Sequence, residues 1–273
     1  MRRSIWLLVL TVVFFSACRV EPDAHIDATL SEAPSPAEQA VALLEEGRTL
    51  LDDDECQAAL KPLEAAIQLD PTLVEAYLVL GNGLVRTAQV EAAVEAYNKA
   101  LEIDETYAAA FTNLGAAYLR RAGDAETLQM AIEAFQSAIA LEPEDAEAHT
   151  NLGSALLQAS QIPQAKEEFE ESLRLDADLA EARVGLGYAF LIMGQLEQGT
   201  AQFEQAVSIN PEMPEAQFAL GISYAEGNQP EKAIAALEAF LAMEISPRCE
   251  GDQSVAAEPR EQAEMFIEQL RGQ

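Results

Sequence analysis

The chain has 273 residues, of which 49% are hydrophobic and only 6% aromatic, and its formal net charge is −31 at pH 7. This composition favours a helical repeat array with a core of alanine and leucine, and no alternating apolar pattern predicts a β-strand. The strong negative charge argues against nucleic acid and anionic lipid surfaces as partners, and it fits either a basic partner or a solvated acidic surface.

Residues 1–17 are predicted to be a secretory signal peptide. Two arginines precede an apolar run from Ile5 to Phe15, and the small residues Ser16 and Ala17 follow it. As a helix this run would reach about 16 Å, whereas bilayer hydrocarbon is roughly 30 Å thick, so it is too short for a stable membrane span.

Cys18 follows the signal directly, and the sequence FSAC resembles a bacterial lipobox, with Phe15 where that family prefers leucine. The resemblance implies that Cys18 carries a diacylglyceryl group and becomes the mature N-terminus, and several acyl chains make a stable anchor. Because Arg19 rather than aspartate follows, it implies attachment to the outer membrane of a bacterial envelope, facing the periplasm. A plain secreted protein is the alternative.

The segment after the anchor is predicted to be a flexible tether. Residues 18–36 are polar after Cys18, contain three prolines and show no helical face. We therefore expect the folded array to begin near Ala37. Loss of Arg2 and Arg3 with the signal peptide would leave a net charge of −33.

Glycines recur at an almost constant spacing through the rest of the chain. The steps between them are 34, 34, 38, 34 and 34 residues, and 34 is the period of a stacked helix-turn-helix unit. The glycines are Gly47, Gly81, Gly115, Gly153, Gly187 and Gly221.

A small residue and a large one follow each glycine, four residues apart and therefore on one helical face. We expect the small residue to let two helices approach closely and the large one to fill the contact between them. The large residues are Leu63, Tyr97, Phe135, Phe169, Phe203 and Leu237.

The repeated segments resemble the tetratricopeptide repeat (TPR) family over about residues 40–245. The motifs LGNGL at 80–84, NLGAAYL at 113–119 and NLGSALL at 151–157 carry the resemblance. It implies an all-α fold, a right-handed α-solenoid of six helix-turn-helix units with a C-terminal capping helix. The predicted units are residues 40–73, 74–107, 108–145, 146–179, 180–213 and 214–247, followed by a linker at 248–257 and the capping helix at 258–273.

Two joints and one insertion depart from the repeat pattern. Units 2 and 4 lack the final proline, so we expect the turns that follow them either to bend less sharply or to have Asp104 and Asp176 as caps of the next helices. Unit 3 has four extra residues, close to one helical turn, so its second helix is predicted to lengthen at its N-terminus with Asp124 as the cap.

The resemblance implies a concave groove, lined by the first helices, in which a protein or peptide partner binds. Asn113 and Asn151 resemble the asparagines that hold a peptide backbone in some TPR grooves. Asn82, Arg86 and Arg120 resemble part of a carboxylate clamp, but no groove lysine accompanies them, so that function is not carried over. The predicted groove residues are Asn82, Arg86, Asn113, Asn151, Val184, Tyr188, Ile192, Phe218 and Ile222.

The C-terminal half of this groove is predicted to be apolar because of Val184, Tyr188, Ile192, Phe218 and Ile222. Such a patch either binds a partner or packs against the next helix. The chain also places glutamates in first turns, where the helix dipole favours an acid. They are Glu75, Glu147, Glu181 and Glu215.

The sequence contains no pattern that predicts catalysis, a metal site or a cofactor. His25 and His149 lack a second ligand at metal-binding spacing, and DDDEC at 52–56 lacks the spacing of a calcium loop. Cys56 and Cys249 lie at opposite ends of the array, so we expect an unpaired thiol or an intermolecular link. The chain is predicted not to be an enzyme.

These features predict a membrane-anchored, extracytoplasmic scaffold for protein–protein interaction. The architecture also resembles the pilotin lipoproteins of type IV pili, which aid assembly of an outer-membrane secretin. An adaptor that gathers peptidoglycan enzymes is a further alternative, and the C-terminal helix either caps the array or lies in the groove.

Overall fold

A computed structural model of the protein describes residues 34–121, 123–243 and 257–272. The predicted signal peptide, Cys18, most of the tether and Cys249 lie outside these residues. The described part contains thirteen α-helices and no β-strand. The predicted all-α fold class is confirmed.

Twelve of these helices form six consecutive pairs, each with a first and a second helix joined by a short turn. The thirteenth, α13 (Ala257–Arg271), follows the last pair. The pairs are α1 (Pro36–Asp52) with α2 (Cys56–Leu69), α3 (Val74–Arg86) with α4 (Val90–Ile103), α5 (Ala108–Arg121) with α6 (Ala125–Leu141), α7 (Ala146–Gln158) with α8 (Ile162–Leu175), α9 (Ala180–Ile192) with α10 (Leu196–Ile209), and α11 (Pro214–Glu226) with α12 (Pro230–Ala242).

Neighbouring pairs stack in chain order. The second helix of each pair packs against the first helix of the next, and the first helices of successive pairs also contact one another, as α1 does α3 and α7 does α9. The first helices therefore form one continuous face, which corresponds to the predicted groove.

The core within each pair is a large side chain of the second helix packed on the repeat glycine of the first. Phe169 of α8 is fully buried, and a Cβ atom built on Gly153 of α7 would lie 2.8 Å from its ring. Gly185 of α9 approaches the same ring from the next pair, at 2.3 Å from a built Cβ. The repeat glycines therefore allow helix backbones to approach an aromatic or leucine side chain closely.

In five of the pairs, the turn between the first and the second helix contains a residue with a left-handed backbone. The N–H that follows it donates back to a carbonyl in the last turn of the first helix, as Gln89 does to Leu84 at 2.8 Å. This closes the helix C-terminus. The left-handed residues are Asp54, Ala88, Ser160, Gly194 and Asn228.

The insertion in unit 3 lengthens α6, as predicted. This helix has 17 residues, whereas α4 and α8 have 14. The side chain of Asp124 accepts a hydrogen bond of 2.7 Å from the backbone N–H of Thr127, and this bond holds the pKa of the Asp124 carboxyl below its usual range. The predicted N-cap is therefore confirmed.

The predicted caps at Asp104 and Asp176 are wrong. Asp104 accepts from the backbone N–H of Thr106 at 2.9 Å, and Asp176 accepts from that of Asp178 at the same distance. Both bonds lie inside the turn between pairs, before the following helix begins. These aspartates therefore stabilise the turn itself, as Asx turns do.

The helix α13 packs on the end of the array. Ala263 and Ile267 are buried against Leu237 and Phe240 of α12. The guanidinium of Arg260 donates to backbone carbonyls at the C-terminus of α12, including that of Leu241 at 2.6 Å. In the described residues no helix is long and apolar enough to cross a membrane.

Candidate partner-binding groove

A cleft of about 460 Å³ lies on the face formed by the first helices of pairs 1 to 3. Apolar side chains such as Leu51 and Val79 line it together with polar ones. Three predicted groove residues, Asn82, Arg86 and Asn113, are part of this lining. The cleft therefore combines an apolar surface with amide groups, as sites for peptides do.

Two asparagines from neighbouring helices form a hydrogen-bonded pair in the cleft. The Oδ1 of Asn82 accepts from the Tyr97 hydroxyl at 2.8 Å and from Nδ2 of Asn113 at 2.9 Å. Two donors on one carbonyl oxygen fix the orientation of the Asn82 amide. Within the described residues, the Asn82 amino group and the Asn113 carbonyl have no partner, so the pair presents one donor and one acceptor.

The sequence did not predict the role of Tyr97 in this pair. Its ring is one of the large core side chains, but its hydroxyl reaches Asn82 across the two helices of the pair. Burial raises the pKa of Tyr97, so the hydroxyl stays protonated and acts as a donor. The available signal was a tyrosine where other units have phenylalanine or leucine.

Arg86 has a structural role that the sequence prediction did not include. Its Nη1 donates to the carbonyl of Leu51 at 2.6 Å, and its Nη2 pairs with Asp54. These bonds place a cation at the C-terminus of α1, where the helix dipole favours it. The Arg86 guanidinium is therefore occupied in joining pairs 1 and 2.

Asn151 does not join the amide pair of Asn82 and Asn113. It lies on α7, one pair further along, and it is half-buried. Its side chain forms no hydrogen bond within residues 34–121, 123–243 and 257–272. The structure thus brings two of the three predicted asparagines together.

The apolar residues of pair 5 divide between core and surface. Val184 is 7% exposed and packs between pairs 5 and 6, so it is not available at the groove surface, contrary to the prediction. Tyr188 is half-buried, with its ring edge-on to Phe203 at 5.2 Å between centroids. Burial and the charge of Glu215 raise the pKa of Tyr188. Ile192, by contrast, is 59% exposed.

Phe218 and Ile222 in pair 6 are both half-buried and pack against the cluster that includes Ala263 of α13. The ring of Phe218 lies 5.3 Å from that of Phe240, between centroids. The surface that Phe218 and Ile222 were predicted to offer a partner is therefore partly covered by α12 and α13.

The position one helical turn before the repeat glycine, which varies along the sequence, stabilises the preceding turn in three pairs. His149 Nε2 lies 3.2 Å from the carbonyl of Pro143, and Arg183 donates to that of Ala177 at 2.7 Å. Gln217 makes the equivalent bond in pair 6. His149 also lies 2.7 Å from a carboxylate oxygen of Glu168, so it links α7 to α8 and the turn.

Cys56 is buried and disulfide-bonded, which contradicts the expectation of an unpaired thiol at this position. The two other cysteines of the chain, Cys18 and Cys249, lie outside the described residues. No group of three or more potential metal ligands occurs in the described part of the chain.

Several solved structures have a similar fold. The chain matches that of pilF of Pseudomonas aeruginosa with 21% identity and a TM-score of 0.64, over 74% of this chain and 90% of that one. It matches a thermophilic TPR protein of Thermus thermophilus with 23% identity and a TM-score of 0.59, over 68% of this chain and 99% of that one. It also matches a chain of the Cut9–Hcn1 hetero-tetramer of APC/C with 20% identity and a TM-score of 0.68, over 82% of this chain and 42% of that one.

Sequence models of two repeat families also match. The one described as TPR repeat matches residues 88–121 and 127–160, and the one described as tetratricopeptide repeat matches residues 150–198 and 184–248. No curated protein matches this chain in sequence. Because the matched residues make up more than half of the chain and the helix pairs follow the same register, the chain belongs to the tetratricopeptide repeat family.

Proposed function

We propose that this TPR protein is a lipid-anchored scaffold of the bacterial envelope that binds an extended segment of another protein along its first helices. The observation that carries the proposal is the amide pair of Asn82 and Asn113 in the cleft, with one open donor and one open acceptor.

The amide pair matches the hydrogen-bonding groups of a peptide backbone. The amino group of Asn82 would donate to a backbone carbonyl of the partner, and Oδ1 of Asn113 would accept a backbone N–H. The half-buried apolar side chains of Val85 and Ala116 in the same cleft would exclude water and contact a partner side chain. A bound segment would thus be recognised by its extended backbone, independently of most of its sequence.

The N-terminal sequence supports a location outside the cytoplasm. Residues 1–17 have the three regions of a secretory signal, and FSAC ending at Cys18 resembles a lipobox. A lipid on Cys18 and the polar segment after it would hold the array near a membrane surface without a membrane-spanning helix.

A pilotin-like role in type IV pilus or secretin assembly is the second candidate function. The observation that favours it is the fold similarity to pilF of Pseudomonas aeruginosa over 90% of that chain. At 21% identity this similarity concerns the fold, and no motif of the sequence distinguishes a pilotin from another scaffold.

Affinity capture from envelope extracts tests the proposal, with residues 19–273 as bait and mass spectrometry as the measurement. We expect a protein that wild type recovers and that the Asn82→Ala, Asn113→Ala double variant loses. Asn98→Ala is the control, because Asn98 is exposed on the second helix α4. Equal recovery by all three baits, or by none, would contradict the proposal.

The identity of the recovered protein separates the candidate roles. A secretin or pilus subunit would support the pilotin-like function, whereas peptidoglycan hydrolases or synthases would support an adaptor for wall enzymes.

A further inference from the structure

An arginine and a glutamate of neighbouring first helices form an ion pair on the groove face. Nη2 of Arg48 on α1 lies 2.5 Å from Oε1 of Glu75 on α3, and the hydrogen bond to Glu75 raises the pKa of Arg48. Arg48 directly follows the repeat glycine Gly47, and Glu75 is six residues before the next one. This ion pair therefore shows how a guanidinium binds a glutamate that lies six residues before a repeat glycine.

The same glutamate position recurs further along the array without its arginine. Glu147 and Glu181 occupy it in α7 and α9, and the positions that correspond to Arg48 hold Ala116 and Ser154. Both glutamates are exposed, and within the described residues neither side chain forms an ion pair or a hydrogen bond. Because Ala116 and Ser154 are too short to reach these carboxylates, Glu147 and Glu181 have no internal partner that corresponds to Arg48.

The contacts between first helices indicate that Glu147 and Glu181 have the same surroundings as Glu75. The contact of α1 with α3 that carries the ion pair is repeated between α5 and α7 and between α7 and α9. The relation also holds at the next joint, where the charge of Glu215 acts on the hydroxyl of Tyr188, the residue after the repeat glycine of pair 5. A residue after one repeat glycine thus faces the glutamate of the next pair.

We propose that Glu147 and Glu181 bind arginine side chains of the partner segment, in the place that Arg48 takes on Glu75. This inference rests on the proposed function, because it concerns the partner of the same groove. It assigns that partner a chemistry: a basic segment, complementary to a chain with a net charge of −31.

The stacking of the helices predicts the spacing of those arginines. Packed helices lie about 8–10 Å apart, so Glu147 and Glu181 recur at about that interval along the groove. A segment in the polyproline II conformation advances about 3.1 Å per residue and presents every third side chain on the same face, so arginines three residues apart match this interval and both face the groove. A guanidinium suits this site better than an ammonium, because its planar fork can donate two hydrogen bonds to one carboxylate.

Fluorescence anisotropy with the full-length protein in detergent micelles tests the inference. The probe is a short fluorescein-labelled peptide of serine and alanine with an arginine at every third residue. Two comparison peptides carry glutamine in place of arginine, or the same arginines side by side. We expect the spaced arginine peptide to bind most tightly and its binding to weaken as salt is raised.

The double variant Glu147→Gln, Glu181→Gln should raise the Kd of that peptide by about threefold to tenfold for each carboxylate removed. The control is Glu95→Gln with Glu167→Gln, which removes the same charge from exposed positions on second helices. Equal weakening in both variants would overturn the inference, because it would show attraction by the overall charge alone.

A second variant keeps both carboxylates and fills the site from within the chain. Ser154→Arg should supply Glu181 with an internal guanidinium, as Arg48 does for Glu75, and should weaken binding by a similar factor. The control is Gln136→Arg, on an exposed face of α6. It adds the same charge but should leave peptide binding unchanged.

Three further results would overturn the inference: no binding of the spaced arginine peptide, equally tight binding of the glutamine peptide, or unchanged binding by Ser154→Arg. Its failure is distinguishable from that of the proposed function. If Asn82→Ala with Asn113→Ala abolishes capture of a partner and the glutamate variants do not weaken it, the groove binds a segment that is not basic.

Discussion

Gly115 lies directly against the ring of Phe135: a Cβ atom built on Gly115 would be 2.7 Å from Cε1 of that ring. Phe135 is fully buried. The same approach joins a repeat glycine to a large side chain in all six pairs. The glycine spacing in the sequence is thus the spacing of one packing contact, repeated once per pair.

Replacing Gly115 by alanine should therefore strain this contact. We expect Gly115→Ala to lower the free energy of unfolding by about 1–3 kcal/mol, the usual cost of overpacking a core, as measured by urea denaturation. Gly123→Ala is the control, because a Cβ atom there would meet only a carbonyl oxygen at 4.0 Å. Equal losses in both variants would show that the close approach to Phe135 is not the cause.

The turns predict a pair of opposite effects at equivalent positions. Ala88 has a φ of 59° and Gly194 a φ of 76°, in the region that favours glycine. We expect Ala88→Gly to raise the melting midpoint and Gly194→Ala to lower it, each by the equivalent of about 1 kcal/mol. A Cβ atom on Gly194 would meet nothing within 4 Å, so its cost comes from the backbone alone. Shifts in the same direction would contradict this explanation.

The repeated contacts could be predicted from the sequence because each one recurs at the same register. The small residue and the large one lie on one helical face, so the spacing of Gly153, Ala165 and Phe169 determines which side chains meet. The insertion before α6 was predictable for the same reason, since almost one full turn keeps the helix face unchanged.

The groove could be predicted only in part, because the same positions of a first helix face both the groove and the next pair. Position alone does not decide whether Val184 is buried and Ile192 exposed; the packing of α11 decides it. The bond from Tyr97 to Asn82 joins residues 15 apart on different helices, so no local pattern reveals it. Asp104 and Asp176 failed as caps because the turn places them too far before the next helix.

Tyr97 should make the protein sensitive to alkali. Burial raises its pKa in the folded state, so the stability that it contributes is fully present below the unfolded pKa of about 10 and is lost as pH rises from there towards the folded pKa. We expect Tyr97→Phe to cost about 1 kcal/mol at pH 7, through the bond to Asn82, and to lose less stability above pH ~10. Urea denaturation across pH measures both effects. Identical alkaline profiles for wild type and variant would contradict the prediction.

Cys18 is predicted to carry the membrane anchor, because FSAC at 15–18 resembles a lipobox. We expect Cys18→Ser to abolish metabolic labelling with fatty acid and to shift the protein from the membrane to the soluble fraction. Ser16→Ala is a control that keeps a small residue before the cysteine. Labelling that persists in Cys18→Ser would show that the lipid is attached to another residue and would contradict the prediction.

The apolar residues of pairs 5 and 6 should separate into core and surface when each is truncated. Tyr188 and Phe218 pack on Phe203 and Phe240, so Tyr188→Ala and Phe218→Ala should each lower the free energy of unfolding by about 2 kcal/mol, less than the 3–5 kcal/mol of a fully buried ring. Ile192→Ala should leave it nearly unchanged, because Ile192 is 59% exposed.

Urea denaturation measures these changes in stability, and partner capture by the same variants measures binding. A loss of binding by Tyr188→Ala without a loss of stability would instead support the prediction, made from the sequence, that this aromatic pair is a docking site.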